Sequence, residues 1–232
     1  MSEPYGFLEL KPVEMVDSGW IHAYGVYYPR HQAIEHLNSD WSRAVILAKR
    51  RMAGIIDRFG SIVAGRMERW LRDDVPYVVT HVPVEPEPVQ YLFADMGRGA
   101  PELLAESIHR HLGTRHNIQL DTLILQLRPK ARKQRQCEGM AEREANVRGL
   151  YTVPERVVVG GDHVILVDDV LTSGATMREC SRVLREAGAL SVTGVALART
   201  VRVQDGDSRL EEKESYENTM SANAMVADRL AG

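Results

Sequence analysis

The run from Val164 to Thr176 constrains the fold of this chain more than any other segment. It opens with four apolar residues, three of them β-branched, and continues with two adjacent carboxylates, Asp168 and Asp169. The apolar residues predict a short buried strand over 164–167, ending at the acidic pair. In open α/β sheets, ligands bind beyond the carboxyl ends of the strands. The acidic pair therefore stands where a ligand is expected.

The loop after the acidic pair has the residues of a phosphate site. A helix is predicted over 176–187, and a helix N-terminus offers free N–H groups and the positive end of a dipole. Gly174 lets the backbone approach an anion closely, and Thr172, Ser173 and Thr176 supply hydroxyl donors. Carboxylates beside a phosphate would repel it, so we expect them to accept hydrogen bonds from sugar hydroxyls or to hold Mg²⁺. The pattern predicts a sugar phosphate as ligand.

Three other interpretations explain less of this run. A Walker B strand needs a partner G-x-x-x-x-G-K-[ST] loop, which the chain lacks. A response-regulator receiver needs a further doubly wound domain, but only 63 residues follow Asp169. Helix capping alone requires one hydroxyl rather than three, and it does not explain the acidic pair.

The remaining chain alternates predicted strands with predicted helices. The predicted strands are 77–82, 121–127, 157–159 and 192–198, in addition to 164–167. The predicted helices are 101–112 and 176–187, preceded by two apolar stripes, 34–45 with a break at 38–40 and 52–70. This alternation predicts an α/β fold with a mostly parallel sheet covered on both faces. We divide the chain into an irregular and helical region (1–74), a core (75–201) and an acidic tail predicted to be mobile (202–232).

Composition excludes several classes of protein. No apolar run is long enough to span a bilayer, and the N-terminus has no features of a signal peptide, so a cytoplasmic location is expected. The net charge of −3 disfavours overall attraction to nucleic acid. Two distant cysteines, Cys137 and Cys180, exclude a disulfide framework and a zinc ribbon, and no histidine has metal-binding spacing.

Residues 164–176 resemble, at nearly every position, the phosphoribosyl-pyrophosphate (PRPP) signature of type I phosphoribosyltransferases. The resemblance implies that family's fold, a twisted and mostly parallel sheet flanked by helices, with 1–74 as an N-terminal helical hood. It implies Mg²⁺-assisted transfer at ribose C1, with PRPP or a nucleoside monophosphate as ligand and a homodimer as an open alternative. Carried over, Asp168 and Asp169 bind the ribose hydroxyls and are catalytic. The residues implied to hold the 5′-phosphate are Thr172, Ser173, Gly174, Ala175 and Thr176.

A narrower resemblance is to the ComF branch, which is similar to a predicted amidophosphoribosyltransferase and includes competence-associated proteins. The matching residues are Gln136, Met140, Arg143, Asn146, Val147, Leu150, Tyr151 and Ala198 to Thr200, with basic Lys49 and Arg50 ending the first long helix. This resemblance spans 41–200 and is strongest over 128–200. It implies an alternative function, a non-catalytic PRPP- or nucleotide-binding protein with a regulatory or DNA-uptake role.

A basic loop follows the predicted 121–127 strand, with cations at Arg128, Lys130, Arg132, Lys133 and Arg135. As the C1–O bond of PRPP breaks, charge builds on the pyrophosphate, and cations that close over it stabilise the transition state and exclude water. We take the first three as candidate catalytic residues, since the family resemblance implies a flexible catalytic loop here. A solvated surface loop and a nucleic-acid contact stay open as alternatives.

The predicted pyrophosphate loop departs from the family pattern. Val84 and Glu85 are its candidate binding residues, but Glu85 and Glu87 stand where relatives carry basic residues. Two carboxylates weaken pyrophosphate binding unless Mg²⁺ lies between them. Mg²⁺ is therefore the expected cofactor, held mainly by PRPP and in part by the acidic pair, because no direct metal motif exists. The N-terminal zinc ribbon of many ComF relatives is also missing.

Overall fold

The computed structural model describes residues 12–14, 19–84, 98–113, 116–128, 145–155 and 159–201. The helices are α1 (Ala33–Asn38), α2 (Asp40–Lys49), α3 (Ala53–Met67), α4 (Ala100–Leu112) and α5 (Ala175–Glu186). The strands are β1 (Val13–Glu14), β2 (Trp20–Ala23), β3 (Val26–Tyr27), β4 (Tyr77–His81), β5 (Ile118–Leu120), β6 (Gln126–Leu127), β7 (Tyr151–Thr152), β8 (His163–Leu171) and β9 (Ser191–Thr200).

Seven strands of the described residues form one sheet in the order β1-β2-β9-β8-β4-β5, with β3 pairing with β9 beyond the end of β2. Only the β1–β2 pair is antiparallel. At the centre, Val167 of β8 lies beside His81 of β4 and Val195 of β9. A separate antiparallel pair joins β6 to β7. The mostly parallel α/β sheet predicted from the sequence is confirmed.

Helices cover both faces of this sheet. One buried cluster joins α2, α3 and α4 to one face, and its members include Trp41, Phe59, Leu104, Ile165 and Val167. The other cluster joins α5 and the β6–β7 pair to the opposite face; its members include Tyr151, Val164, Leu166 and Met177, and Leu127 packs against it. Successive residues of a strand point to opposite faces of the sheet. Because both faces of β8 are buried, the strand is apolar at every position from 164 to 167.

The predicted helices agree closely with the structure. Helix 101–112 is α4, helix 176–187 is α5, and the 52–70 stripe is α3. The predicted break at 38–40 lies between α1 and α2. There the Ser39 hydroxyl accepts a hydrogen bond from the Ser42 N–H at 3.1 Å and caps the second helix.

The predicted strand over 121–127 is wrong. Its first residue, Asp121, accepts a hydrogen bond from the Leu123 N–H at 2.8 Å, which closes a turn instead. The sheet strand is β5, three residues earlier, and residues 126–127 belong to the separate β6–β7 pair. Of the weak strand at 157–159, only Val159 is described, and it lies outside any strand.

The N-terminal region joins the sheet in a way that its sequence does not predict. Strands β2 and β3 both pair in parallel with β9, so the region before residue 75 supplies sheet strands as well as helices. Both strands are short and separated by Tyr24-Gly25, which obscures their pattern. The boundaries at 74 and 201 stay predictions, and the 202–232 tail lies outside the described residues.

Gly60 and Gly65 of α3 provide a matched pair for testing the packing of α3 on α4. A Cβ on Gly60 would overlap the Ser107 side chain of α4, whereas a Cβ on Gly65 would meet nothing within 4 Å. Gly60→Ala is expected to lower the free energy of unfolding by about 1–3 kcal/mol through overpacking. Gly65→Ala is expected to raise it by about 0.5–1 kcal/mol through helix propensity. Urea denaturation of both variants checks this, and equal effects of the same sign would contradict the packing.

Candidate functional site

The acidic pair lies within β8 rather than at its end. The strand continues to Leu171, with Asp168 beside Ala196 and Leu171 beside Arg199 of β9. The predicted end of the strand at the acidic pair is therefore wrong, because pairing with β9 carries the strand on to Leu171. The two carboxylates still occupy the carboxyl-terminal part of the central strand, where parallel sheets bind ligands.

The two carboxylates point to opposite faces of the sheet, as alternation along a strand requires. Asp169 faces α2, where its Oδ2 atom accepts a hydrogen bond from Lys49 Nζ at 2.8 Å. Asp168 faces α5, which carries the buried Cys180. Burial of the Cys180 thiol is the main cause that raises its pKa, and the negative charge of Asp168 is the second. The Asp169 N–H donates to Asp168 Oδ1 at 2.8 Å, so the pair is also linked locally.

Asp168 and Lys49 both have pKa values raised above their ordinary ones. Burial and the neighbouring Asp169 charge raise the pKa of Asp168 to about 7, against an opposing effect of Lys49. Burial alone would lower the pKa of Lys49, but the charge and hydrogen bond of Asp169 outweigh it and raise that pKa above its ordinary value. A cation and a carboxylate thus meet next to a carboxyl group that gains and loses its proton near neutral pH.

The raised pKa of Asp168 has a consequence for stability. Between about 4 and about 7, the folded chain binds more protons at this site than the unfolded chain, so stability falls as the pH rises through this interval. Asp168→Asn is expected to remove that part of the pH dependence. Denaturant unfolding on either side of the interval measures it, with Asp162→Asn as a control. An unchanged slope in Asp168→Asn would contradict the raised pKa.

The hydroxyl loop directly follows β8 and opens α5. The Thr172 and Thr200 hydroxyls lie 3.4 Å apart, and the Ser173 hydroxyl accepts a hydrogen bond from the Ala175 N–H at 3.4 Å. Gly174 is the N-cap, with φ of 75° in the left-handed region that glycine adopts most readily. Thr176 follows in the first turn and is partly buried. The predicted phosphate-loop residues are therefore contiguous with the acidic pair.

Arg178, in the first turns of α5, lies beside this loop and was not predicted from the sequence. A Cβ added to Gly174 would lie 2.9 Å from Arg178 Nη1, so the guanidinium extends back over the start of α5. The Arg178 N–H also donates to the Gly174 carbonyl oxygen at 2.9 Å, within the first helical turn. The spacing of four residues from a loop glycine was the available signal, since side chains on a helix lean towards its N-terminus.

The end of β4 brings Val84 to the same edge of the sheet. The Val82 N–H donates to the Val167 carbonyl oxygen at 2.9 Å, one residue before the acidic pair. Val84 is half exposed and lies against Gly99, the N-cap of α4. Arg98 next to it pairs with Glu102 at 2.9 Å and with Glu106. The candidate Glu85, like Glu87, lies outside the described residues.

Only the first cation of the basic loop is described. The Arg128 N–H donates to the Leu150 carbonyl oxygen at 2.7 Å, and Arg128 Nη2 donates to the Thr152 hydroxyl at 3.4 Å. These contacts place Arg128 on β7, which packs on the α5 side of the sheet. Lys130 and Arg132 lie outside the described residues, so their position relative to the acidic pair stays a prediction.

The acidic pair can contribute to a metal site but does not form a complete one. Carboxylate oxygens suit Mg²⁺. Within the described ranges, however, no group of three or more potential His, Cys, Asp or Glu ligands is placed to hold a metal ion. Asp169 is also already engaged by Lys49. A Mg²⁺ ion bound beside one of these carboxylates would therefore take most of its ligands from a bound phosphate compound and water.

A family model described as the phosphoribosyl transferase domain matches residues 103–226, more than half of the chain. The chain belongs to the phosphoribosyltransferase domain family. The match runs from α4 through the acidic pair, the hydroxyl loop and β9, and therefore contains the site described above. It also extends into the segment that the sequence analysis treats as a tail.

Solved phosphoribosyltransferases are distantly similar to this phosphoribosyltransferase domain. A hypoxanthine phosphoribosyltransferase from Staphylococcus aureus shares 9% identity, with a TM-score of 0.40, over 66% of this chain and 67% of that chain. The Trypanosoma cruzi hypoxanthine phosphoribosyl transferase shares 12% identity, with a TM-score of 0.41, over 70% of this chain and 91% of that chain. No curated protein sequence matches the chain. In the part of the chain that the structure describes, no helix is long and apolar enough to cross a membrane.

Proposed function

We propose that this phosphoribosyltransferase domain binds PRPP and transfers its phosphoribosyl group at ribose C1, in nucleotide metabolism and with Mg²⁺. The observation that carries the proposal is the continuity of the acidic pair with the hydroxyl loop at the start of α5. A ribose 5-phosphate has hydroxyls at one end and a dianion at the other. It therefore matches carboxylate acceptors followed by a helix N-terminus.

Each part of the site has a separate role in this proposal. Asp168 and Asp169 accept hydrogen bonds from the ribose 2′- and 3′-hydroxyls and so fix the orientation of C1. The 5′-phosphate binds backbone N–H groups of the loop over 172–176, together with its three hydroxyls. Gly174 keeps the approach to those N–H groups open because it carries no side chain. Fixing both ends of the ribose reduces the entropy that must be lost at the transition state.

The reaction exchanges one bond at C1 for another. The C1–O bond to pyrophosphate breaks, the pyrophosphate leaves with the electron pair, and an acceptor nucleophile forms a new bond to C1. Bound Mg²⁺ would supply positive charge to the pyrophosphate. Arg128, Lys130 and Arg132 are proposed to add cations on that side, while Val84 and Glu85 are proposed to contact the same group.

A second candidate function is a non-catalytic PRPP- or nucleotide-binding protein of the ComF branch. The observation that favours it is the presence of Glu85 and Glu87 in the proposed pyrophosphate loop, where negative charge opposes an anionic leaving group.

Pyrophosphate release separates the two candidates. The wild-type chain is incubated with PRPP, Mg²⁺ and, in turn, a purine base, a pyrimidine base and an amine. Acceptor-dependent release supports the transferase, and its loss in Asp168→Asn/Asp169→Asn but not in Asp162→Asn assigns it to this site. Binding of PRPP without release under any acceptor would contradict the transferase and support the binding protein.

A further inference from the structure

Lys49 is the one described cation in hydrogen-bond contact with the acidic pair. Its Nζ atom lies 2.8 Å from Asp169 Oδ2, although the two residues are 120 positions apart in the chain. The Lys49 side chain is 39% exposed and the Asp169 side chain 15%, so the ion pair lies at the mouth of the site rather than in the core. It can therefore meet a ligand without the fold opening.

Helix α2 holds Lys49 in that position by packing, independently of the ion pair. The Trp41 indole N–H donates to the Leu197 carbonyl oxygen of β9 at 3.2 Å. Trp41, Val45 and Ala48 are buried against the sheet along one face of the helix. Lys49 is the last residue of α2, and a cation is also favoured at a helix C-terminus. The packing of α2 on the sheet therefore places the Lys49 ammonium group beside the acidic pair.

The charge of this cation bears on how the site accepts an anion. An ionised carboxylate that faces the ribose of a phosphorylated ligand repels its phosphate groups. One way to reduce the repulsion is a divalent cation between carboxylate and ligand. A fixed ammonium on Asp169 removes one negative charge from the pair without a metal. The Lys49 ammonium group and a divalent cation would therefore both reduce the negative charge at this position.

We propose that Lys49 is a positioning residue that neutralises part of the acidic pair from within the fold, so that ligand binding requires less Mg²⁺. This role rests on the proposed function, because it presupposes that the acidic pair faces a phosphorylated ribose. Lys49 acts through Asp169, which it holds in one orientation and partly neutralises. Nothing in the family match assigns this residue, since the match begins at residue 103.

Calorimetric titration of PRPP at low and at saturating Mg²⁺ tests the proposal in four proteins: wild type, Lys49→Gln, Lys49→Arg and Arg43→Gln. Arg43→Gln is the matched control, because it also removes a cation and an ion pair from α2, but on an exposed side chain that pairs with Asp40. Lys49→Gln is expected to bind PRPP at least tenfold more weakly than wild type at low Mg²⁺, about 1.4 kcal/mol. At saturating Mg²⁺ the difference in PRPP affinity between Lys49→Gln and wild type is expected to be smaller. Lys49→Arg and Arg43→Gln are expected to follow wild type at both concentrations.

The Mg²⁺ dependence distinguishes this role from a purely structural one. A loss of affinity in Lys49→Gln that stays the same at both Mg²⁺ concentrations would overturn the proposal, as would an affinity equal to that of wild type. Failure of Lys49→Arg to restore low-Mg²⁺ binding would also overturn it. Absence of PRPP binding by the wild-type chain would overturn the proposed function, and the role of Lys49 with it.

Discussion

Replacement of Asp168 and Asp169 together by asparagine is expected to weaken PRPP binding at least tenfold, about 1.4 kcal/mol. The change removes both charges that the ribose hydroxyls would contact, and hydrogen bonds to charged groups are stronger than those between neutral ones. It also removes the partner of Lys49, which then faces a neutral amide. Isothermal titration of PRPP with Mg²⁺ into the wild type and into the double variant measures the difference in affinity.

The control for this variant is Asp162→Asn, which removes a carboxylate from the turn before β8, at the opposite end of the same strand. It is expected to leave PRPP affinity unchanged. Equal affinity of the double variant and the wild type would show that the acidic pair does not contact the ligand. Circular dichroism of each variant establishes that the fold is retained in the comparison.

Gly174→Ala is expected to weaken binding of ribose 5-phosphate at least tenfold, about 1.4 kcal/mol. The alanine would need a φ of 75°, and its Cβ would lie 2.9 Å from Arg178 Nη1. The side chain therefore disturbs both the backbone turn and the guanidinium above it. Competition with PRPP, followed by calorimetry, measures the loss.

Gly161→Ala measures separately what an alanine with positive φ costs in stability, away from the loop. Gly161 has a φ of 92°, and a Cβ there would meet nothing within 4 Å. Both alanines are expected to lower the free energy of unfolding by about 1–2 kcal/mol, but only Gly174→Ala should lose ligand affinity. A similar loss of affinity in both variants would assign the effect to stability and not to the loop.

The sequence predicted the local parts of the candidate site. The acidic pair, the loop glycine and the hydroxyls lie within nine residues of one another, so their order alone places them around one strand-to-helix junction. The contact of Lys49 with Asp169 could not be predicted in the same way, because it depends on how α2 crosses the sheet. Basic residues at the end of that helix were noted from the family resemblance, but their partner was not.

The errors in the predicted fold have two physical causes, one local and one long-range. Asp121 closes a local turn within a leucine-rich run, and this side-chain hydrogen bond overrides the apolar pattern that favoured a strand. Strands β2 and β3 pair with β9, which lies far along the chain, and their own short sequences carry no clear strand pattern. Long and strongly periodic helices such as α3 and α4 were predicted well because their pattern is local.

The most direct test of the central claim is calorimetric titration of PRPP with Mg²⁺ into the wild-type chain, together with thermal unfolding at the same ligand concentrations. We expect saturable heat and a rise in the unfolding temperature as the PRPP concentration increases, since a ligand that binds only the folded state stabilises it. No heat and no thermal stabilisation at saturating PRPP would contradict it, and would leave the acidic pair and the hydroxyl loop without the ligand inferred from their chemistry.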